Sequence, residues 1–222
     1  ILLYHVDTSH WRIKSVLVGA ETLTDEIADK IKRAFKCPLF DRYSNMEMGI
    51  YAQREYEKTN FRLNRASYYF EIVQLDRDIP AKEGEVGRIV VTDLFNHAFP
   101  MIRYDTGDLG TYCITNRVME LKEVYGRKID CIYDVKNNLL NPHIISRCMC
   151  DVKNIRQWQF IQKEKEKYLL KVNTTSEIDD TDIKRRLKHE LGETAQIDIQ
   201  YVEEIPVLNS SKRKYIVNEY RS

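Results

Sequence analysis

The chain has 222 residues, of which 43% are hydrophobic and 31% are charged. Its 35 Lys and Arg residues nearly balance its 34 Asp and Glu residues, which argues against a nucleic-acid or anionic-membrane surface. No apolar run is long enough to span a bilayer, and the opening ILLYHV lacks the basic leader and cleavage site of a signal peptide. The five cysteines have no paired Cys-x-x-Cys spacing, which indicates reduced thiols and a cytoplasmic protein.

The amino-terminal segment is predicted to alternate strand, helix and strand. KSVLVG, Lys14 to Gly19, is typical of a buried strand, and Thr24 can cap a helix with apolar residues at helical spacing. A short strand follows at Cys37–Phe40 and leads into DRYSNMEMG, Asp41 to Gly49. This order is typical of a parallel α/β sheet, in which ligands bind beyond the carboxyl ends of the strands.

The middle of the chain has a different pattern, with short alternating segments separated by turn residues. Such a pattern predicts an antiparallel, barrel-like segment. The predicted strands are Tyr68–Leu75, Arg88–Leu94, Met101–Tyr104, Gly110–Ile114 and Val118–Lys122.

A second change of pattern occurs near Gly126. The following segment predicts a strand at Ile129–Asp134, a helix at Pro142–Cys150, two more strands, a second helix and a last strand. Asp179 or Asp180 can cap the second helix, and Gly192 can end it. We therefore expect an α/β protein with two domains, residues 1–127 and a small α+β domain at 128–222.

Three segments contain residues that could bind a ligand. In DRYSNMEMG, Tyr43 can stack on a flat ring and Glu47 can hold a divalent cation; the alternative is a surface loop with a half-buried tyrosine. In RYDTGDLG, Asp108 can accept hydrogen bonds from a vicinal diol, or it can cap its own hairpin backbone. Arg127 in GRKID and Lys212 in IPVLNSSKRKYIV are single basic residues, which are usually surface charges.

Taken in this order, the segments resemble the adenylate-forming superfamily of acyl- and aryl-CoA synthetases, nonribosomal adenylation domains and luciferases. The nearest resemblance is to its phenylacetate–CoA ligase-like and capsular-polysaccharide-type branch. YSNMEMG is similar to the motif Tyr-Gly-x-Thr-Glu, and RYDTGDLG matches Arg-Tyr-x-Thr-Gly-Asp almost letter for letter. GRKID resembles Gly-Arg-x-x-Asp, and IPVLNSSK resembles the carboxyl-terminal Pro-x-x-x-x-Gly-Lys. The resemblance covers nearly the whole chain.

The resemblance implies an ATP site in which one group of residues binds the nucleoside and another binds the phosphates. On the nucleoside, Asp108 would hold the ribose, Tyr43 would stack on adenine, and Asp41 and Arg42 would lie along the adenine edge. The strand end Gly19, Ala20 and Glu21 would form the wall between nucleotide and acyl pocket. On the phosphates, Glu47 would bind Mg²⁺, Arg127 would reach the ribose or α-phosphate, and catalytic Lys212 would bridge carboxylate and phosphate.

Several positions depart from these motifs. Ser44 replaces a glycine, Met46 replaces a hydroxyl residue, Ser211 replaces the glycine before Lys212, and Ile129 occupies the usual hinge position. The Ser/Thr/Gly-rich phosphate loop of the superfamily is not found in this sequence. We therefore expect the carboxyl-terminal half of an adenylating enzyme: the end of its large adenylation domain (1–127) and its complete small mobile domain (128–222).

Two functions are consistent with the sequence. The first is an ATP-dependent, AMP-forming ligase that activates a small carboxylic acid as an acyl-adenylate and transfers it to a thiol such as CoA or a carrier protein. The second is a non-catalytic relative that serves as a nucleotide-binding or interaction module. The expected ligands are ATP, Mg²⁺ and CoA, and neither nucleic acid nor membrane is an expected partner.

Overall fold

The computed structural model describes residues 10–19, 23, 25–150, 152–206 and 214–220. The chain divides into two compact units, residues 1–124 and 125–222. No helix among the described residues has the length and apolar character needed to cross a membrane.

The first unit contains one helix and eight strands within its described residues. They are, in chain order, β1 (Val16–Gly19), α1 (Asp25–Phe35), β2 (Leu39–Asn45), β3 (Gly49–Glu55), β4 (Arg62–Leu63), β5 (Tyr68–Val73), β6 (Gly87–Asp93), β7 (Tyr104–Thr115) and β8 (Val118–Arg127), whose last residues belong to the second unit.

The first sheet has the order β1-β2-β3-β4. Its parallel pair β1–β2 confirms the predicted strand–helix–strand unit, and α1 buries Ala28 and Ile31 against Leu39 of β2. The strand predicted at Cys37–Phe40 starts later and extends further, as β2 (Leu39–Asn45). Residues 41–45 continue β2, because their backbone pairs with the antiparallel strand β3.

The second sheet has the order β5-β6-β7-β8 and confirms the predicted antiparallel segment. The strand predicted at Met101–Tyr104 is wrong except for Tyr104, where β7 begins. The strand predicted at Gly110–Ile114 is the second half of β7, which starts earlier than expected because an irregularity within it accommodates the turn residues before Gly110. Asn116 and Arg117, with φ of 51° and 65°, form the two-residue turn from β7 to β8. Tyr51 of β3 and Phe61, which precedes β4, share one hydrophobic core with residues of the second sheet: Phe70, Ile89 and Leu121.

The second unit contains two helices, a 3₁₀ helix and six strands within its described residues. They are the 3₁₀ helix Lys128–Asp130, β9 (Ile132–Tyr133), β10 (Leu139–Leu140), α2 (His143–Cys150), β11 (Ile155–Gln162), β12 (Lys167–Thr174), α3 (Asp180–Leu191), β13 (Gln196–Tyr201) and β14 (Ile216–Asn218).

Four of these strands form a sheet in the order β13-β12-β11-β14. The pair β11–β12 is antiparallel, whereas β12–β13 and β11–β14 are parallel. Asp179 caps α3 by accepting hydrogen bonds from two backbone N–H groups, and Gly192 follows its last residue with φ of 110°, as predicted. The strand predicted at Ile129–Asp134 is shorter than expected, because the chain first turns through the 3₁₀ helix.

The buried thiol of Cys148 on α2 provides a test of the second unit's core. Burial raises the pKa of Cys148 from 9.0 to about 11, so its stabilising contribution is present below pH 9 and is lost as the pH rises toward 11. We expect the unfolding free energy to fall less steeply across this range in Cys148→Ala, with a difference of at most about 2–3 kcal/mol. Urea denaturation at several pH values measures it. The same slope in the wild type and in Cys148→Ala would contradict this expectation.

Candidate functional site

The RYDTGD segment forms a bulge in β7. Arg88 of β6 pairs with Leu109, and Val90 pairs with Asp105. The three residues between them on β7, Thr106–Asp108, therefore lie opposite the single residue Ile89. Gly107 has φ of +76° and open space around its missing side chain, so the backbone conformation itself favours glycine. Asp105 braces the bulge by accepting a hydrogen bond from the Gly107 N–H at 3.0 Å and another from Arg88 at 2.7 Å.

The bulge presents Asp108 to Tyr43 of β2. The Tyr43 hydroxyl donates to Asp108 Oδ2 at 2.8 Å and lies 3.4 Å from Thr106 Oγ1. The Tyr43 ring also packs against Tyr51, with 5.4 Å between ring centroids. Two residues that the sequence singled out separately are therefore in direct contact, although 65 positions separate them along the chain.

The environment of Tyr43 keeps its hydroxyl protonated. Burial, followed by the negative charge of Asp108, raises the pKa of Tyr43 well above its ordinary value. A protonated tyrosine donates its single hydrogen, and the nearest acceptor is the Asp108 carboxylate. At neutral pH the pair is therefore a neutral phenol bonded to a carboxylate.

Asp41 and Arg42 of β2 both form hydrogen bonds with side chains of β3. Asp41 is buried, and its Oδ2 accepts hydrogen bonds from Arg54 of β3 at 3.0 and 3.2 Å. The Arg54 guanidinium in turn lies over the ring of Phe61, 4.4 Å from its centroid. Arg42 donates to the side chain of Gln53 at 3.2 Å. Asp41 thus has a structural ion-pair partner, one that the sequence analysis missed.

Glu47 lies in the turn between β2 and β3. Asn45 holds this turn by accepting from the Met48 N–H at 2.9 Å and by donating to Tyr51 Oη at 2.7 Å. Glu47 is exposed, and the neighbouring Met46 is 98% exposed. Within the described ranges, no group of three or more His, Cys, Asp or Glu side chains could hold a metal ion.

The remaining predicted site residues are distributed over both units. Gly19, at the end of β1, pairs with Arg42 in the parallel ladder. Arg127 is exposed at the end of β8, before the 3₁₀ helix. Ala20, Glu21 and Lys212 lie outside the described residues.

In the second unit, side chains from β11 and the 3₁₀ helix hold the chain near Ile205 and Lys214. Gln157 accepts from the Ile205 N–H at 2.7 Å, and Gln159 donates to the Lys214 carbonyl at 2.7 Å. The ammonium of Lys214 lies 2.6 Å from Asp130 Oδ1, so the Asp of GRKID forms an ion pair with Lys214.

Thr106 was not among the residues predicted to form the site. Its hydroxyl donates to the Ile89 carbonyl at 2.9 Å and accepts from the Asp108 N–H at 3.2 Å. A hydroxyl residue two positions before an aspartate is the available sequence signal, because Ser and Thr often bond to nearby backbone groups in turns.

Comparisons with known proteins agree with this architecture. Residues 132–219 match the family model "CapK C-terminal domain". The chain is 24% identical to Protein CapK of Staphylococcus aureus over 218 residues, which are 93% of this chain and 47% of CapK. The chain therefore spans about half the length of this curated relative.

Solved structures show the same fold. O-succinylbenzoate coenzyme A synthetase (MenE) from Bacillus subtilis, in complex with AMP, superimposes with a TM-score of 0.71 at 16% identity, covering 96% of this chain and 47% of that one. A 2-hydroxyisobutyryl-CoA ligase in the postadenylation state gives a TM-score of 0.70 at 16% identity, covering 90% and 47%. ATP-bound MatB from Rhodopseudomonas palustris gives 0.66 at 14% identity, covering 89% and 43%. The chain shares its fold with these ligases, and its residues 132–219 are similar to the CapK C-terminal domain.

Proposed function

We propose that this chain is the carboxyl-terminal part of an ATP-dependent, AMP-forming ligase that activates a carboxylic acid as an acyl-adenylate. The observation that carries the proposal is the contact between Tyr43 and Asp108 on the β7 bulge. An aromatic ring beside an oriented carboxylate matches the chemistry of a nucleoside, which has a flat base and a vicinal diol.

Binding of the nucleoside would use Tyr43 and Asp108 together. Asp108 is half-buried, which lowers competition from water for a hydrogen bond to its carboxylate. Ribose hydroxyls would donate to this carboxylate, and the Tyr43 ring would lie against adenine. Asp41 and Arg42 would act mainly through the shape of β2, because Asp41 is engaged by Arg54.

Phosphate binding would involve Glu47 and Arg127. Glu47 is a single exposed carboxylate, which fits Mg²⁺ because this ion takes most of its ligands from phosphates and water. When bound, Mg²⁺ would neutralise negative charge on the phosphates. Arg127 is exposed, so its guanidinium is accessible to a ribose hydroxyl or an α-phosphate.

Lys212 would supply the positive charge needed during adenylation. The substrate carboxylate attacks the α-phosphorus and pyrophosphate leaves, so negative charge grows on the oxygens around the α-phosphorus as the adenylyl group is transferred. Lys212 would bridge that phosphate and the carboxylate. A thiol, such as that of CoA or a carrier protein, would then attack the acyl carbonyl and release AMP.

In such a ligase, residues 1–127 would be the end of a large adenylation domain and residues 128–222 a small mobile domain. The protein would act in the cytoplasm, where ATP and CoA are available. The five cysteines, all free thiols, support a reducing compartment.

A second candidate function is a non-catalytic nucleotide-binding module. Two exposed apolar residues favour it: Met46 stands at a position where the motif has a hydroxyl, and Ile129 stands at the usual hinge position. Neither side chain can donate a hydrogen bond to a phosphate.

ATP–pyrophosphate exchange by the full-length protein tests the proposal. A panel of aliphatic, aromatic and hydroxy acids should include at least one that raises exchange well above the rate without acid. ATP binding without exchange for any acid in a broad panel would favour the non-catalytic module.

The 222-residue chain alone is expected to show no ATP–pyrophosphate exchange. The sequence has no Ser/Thr/Gly-rich loop to hold the β- and γ-phosphates, and backbone N–H groups of such a loop stabilise the leaving pyrophosphate. Adding the preceding domain should restore activity. Exchange by the purified chain alone would show that its own residues complete the phosphate site.

A further inference from the structure

The hydroxyl of Thr106 connects three parts of the nucleotide site. It donates its hydrogen to the Ile89 carbonyl at 2.9 Å, and it accepts the Asp108 N–H at 3.2 Å. The Tyr43 hydroxyl lies 3.4 Å from the same oxygen. One small side chain therefore ties the bulge to β6 and lies beside the Tyr43–Asp108 contact.

The two hydroxyls act on different parts of Asp108. Thr106 holds the backbone of Asp108 through its N–H group, and Tyr43 holds the carboxylate through Oδ2 at 2.8 Å. The terminal torsion of an aspartate side chain is otherwise broad, so a bond to one oxygen restricts the direction of both. The carboxylate is thus oriented before any ligand arrives.

We propose that Thr106 and the Tyr43 hydroxyl are positioning groups that orient Asp108 toward a pair of vicinal hydroxyls, and that they make the site selective for a ribonucleotide. This inference rests on the proposed function. It adds Thr106 to the residues of the site and gives Tyr43 a task that its ring alone cannot perform. A carboxylate that is already oriented in the free protein binds hydroxyls more tightly, because its side chain loses less conformational entropy when the ligand binds.

The test compares the binding of ATP and 2′,3′-dideoxy-ATP to the full-length protein by isothermal titration calorimetry. Thr106→Val removes the hydroxyl at nearly constant shape, and Tyr43→Phe keeps the ring that would stack on adenine. Each should weaken ATP binding by about 3- to 10-fold, the usual effect of losing one hydrogen bond. Neither should change the affinity for dideoxy-ATP, which offers Asp108 no hydroxyls.

Three controls separate positioning from a general structural effect. Thr106→Ser retains the hydroxyl and should restore most of the ATP affinity. Tyr69→Phe removes a hydroxyl from an exposed tyrosine of β5 in the same unit and should bind both nucleotides as the wild type does. Combining Tyr43→Phe with Asp108→Ala should add little to the effect of Asp108→Ala, because Tyr43 acts through Asp108.

The outcomes distinguish this inference from the proposed function. If the wild type prefers ATP to dideoxy-ATP and Asp108→Ala removes the preference, but Tyr43→Phe and Thr106→Val keep it, the positioning role is wrong and the nucleotide site stands. If Tyr43→Phe lowers the affinities for ATP and dideoxy-ATP equally, the positioning role is also wrong, because the effect of the hydroxyl would then not depend on the ribose hydroxyls. If the wild type does not bind ATP, the proposed function fails and the inference fails with it. Should Thr106→Val not fold, Tyr43→Phe and Thr106→Ser decide the question.

Discussion

Replacing Lys212 with alanine in the full-length protein is expected to lower adenylation turnover by about 10²–10³-fold, the usual effect of losing one preorganised donor. Negative charge on the α-phosphate oxygens grows as the carboxylate attacks the α-phosphorus, and a lysine beside these oxygens is most favourable at that point. The loss should therefore appear in kcat, with little change in the KM for ATP. Steady-state pyrophosphate exchange at saturating acid measures both constants.

The two neighbouring basic residues supply matched controls. Arg213→Ala and Lys214→Ala remove the same charge one and two positions further along the chain and should reduce turnover much less. Lys214 already pairs with Asp130 at 2.6 Å, and both side chains are about one-third exposed, so its loss should reduce stability by no more than about 1 kcal/mol. A larger loss of turnover at Lys214 than at Lys212 would reassign the catalytic role, and negligible effects at both would favour the non-catalytic module.

Local patterns in the sequence were sufficient to predict the fold class and many of the elements. The helix α3 is an example, because its cap at Asp179 and its end at Gly192 depend on backbone geometry within a few residues. The parallel pair β1–β2 follows from the strand–helix–strand order around α1.

The elements that were missed depend on pairing between distant residues. The sequence of β2 at Asp41–Asn45 has turn-forming and polar residues, and it is a strand because β3 pairs with it. The short strand β14 near the carboxyl end forms in the same way, by adding to the edge of β11 in parallel. In β7, the Thr-Gly-Asp turn signal is real, but the bulge accommodates it without ending the strand.

In the candidate site, too, local sequence signals identified single residues, whereas the contacts between distant residues could not be predicted. The motif identified Asp108 and Tyr43 as residues of interest, and their contact is a consequence of the β2 and β7 backbones meeting in one unit. Arg54 could not have been selected beforehand, because its importance comes from standing opposite Asp41 in the β2–β3 ladder. Composition and spacing carry no information about which carboxylate a half-buried arginine will neutralise.

Asp108→Ala in the full-length protein is expected to weaken ATP binding by roughly 1.5–3 kcal/mol, or about 10- to 150-fold, which is the usual contribution of hydrogen bonds to a charged partner. The carboxylate is half-buried and held by Tyr43, so it is ordered before the ribose arrives. Isothermal titration with ATP measures the change. Asp76→Ala is the matched control, because it removes one negative charge from an exposed position between β5 and β6 of the same unit. It should leave the affinity for ATP unchanged.

A second variant separates the ribose contact from the stability of the bulge. Alanine leaves the Tyr43 hydroxyl without its carboxylate acceptor, which can lower stability by about 1–3 kcal/mol in a buried position. Asp108→Asn keeps an oxygen for the Tyr43 hydrogen but removes the charge, so the bulge should stay folded while ATP binding still weakens, by a smaller factor than in the alanine variant. Unchanged ATP affinity in both variants, with wild-type thermal unfolding, would mean that Asp108 serves the bulge alone and that the ribose is bound elsewhere.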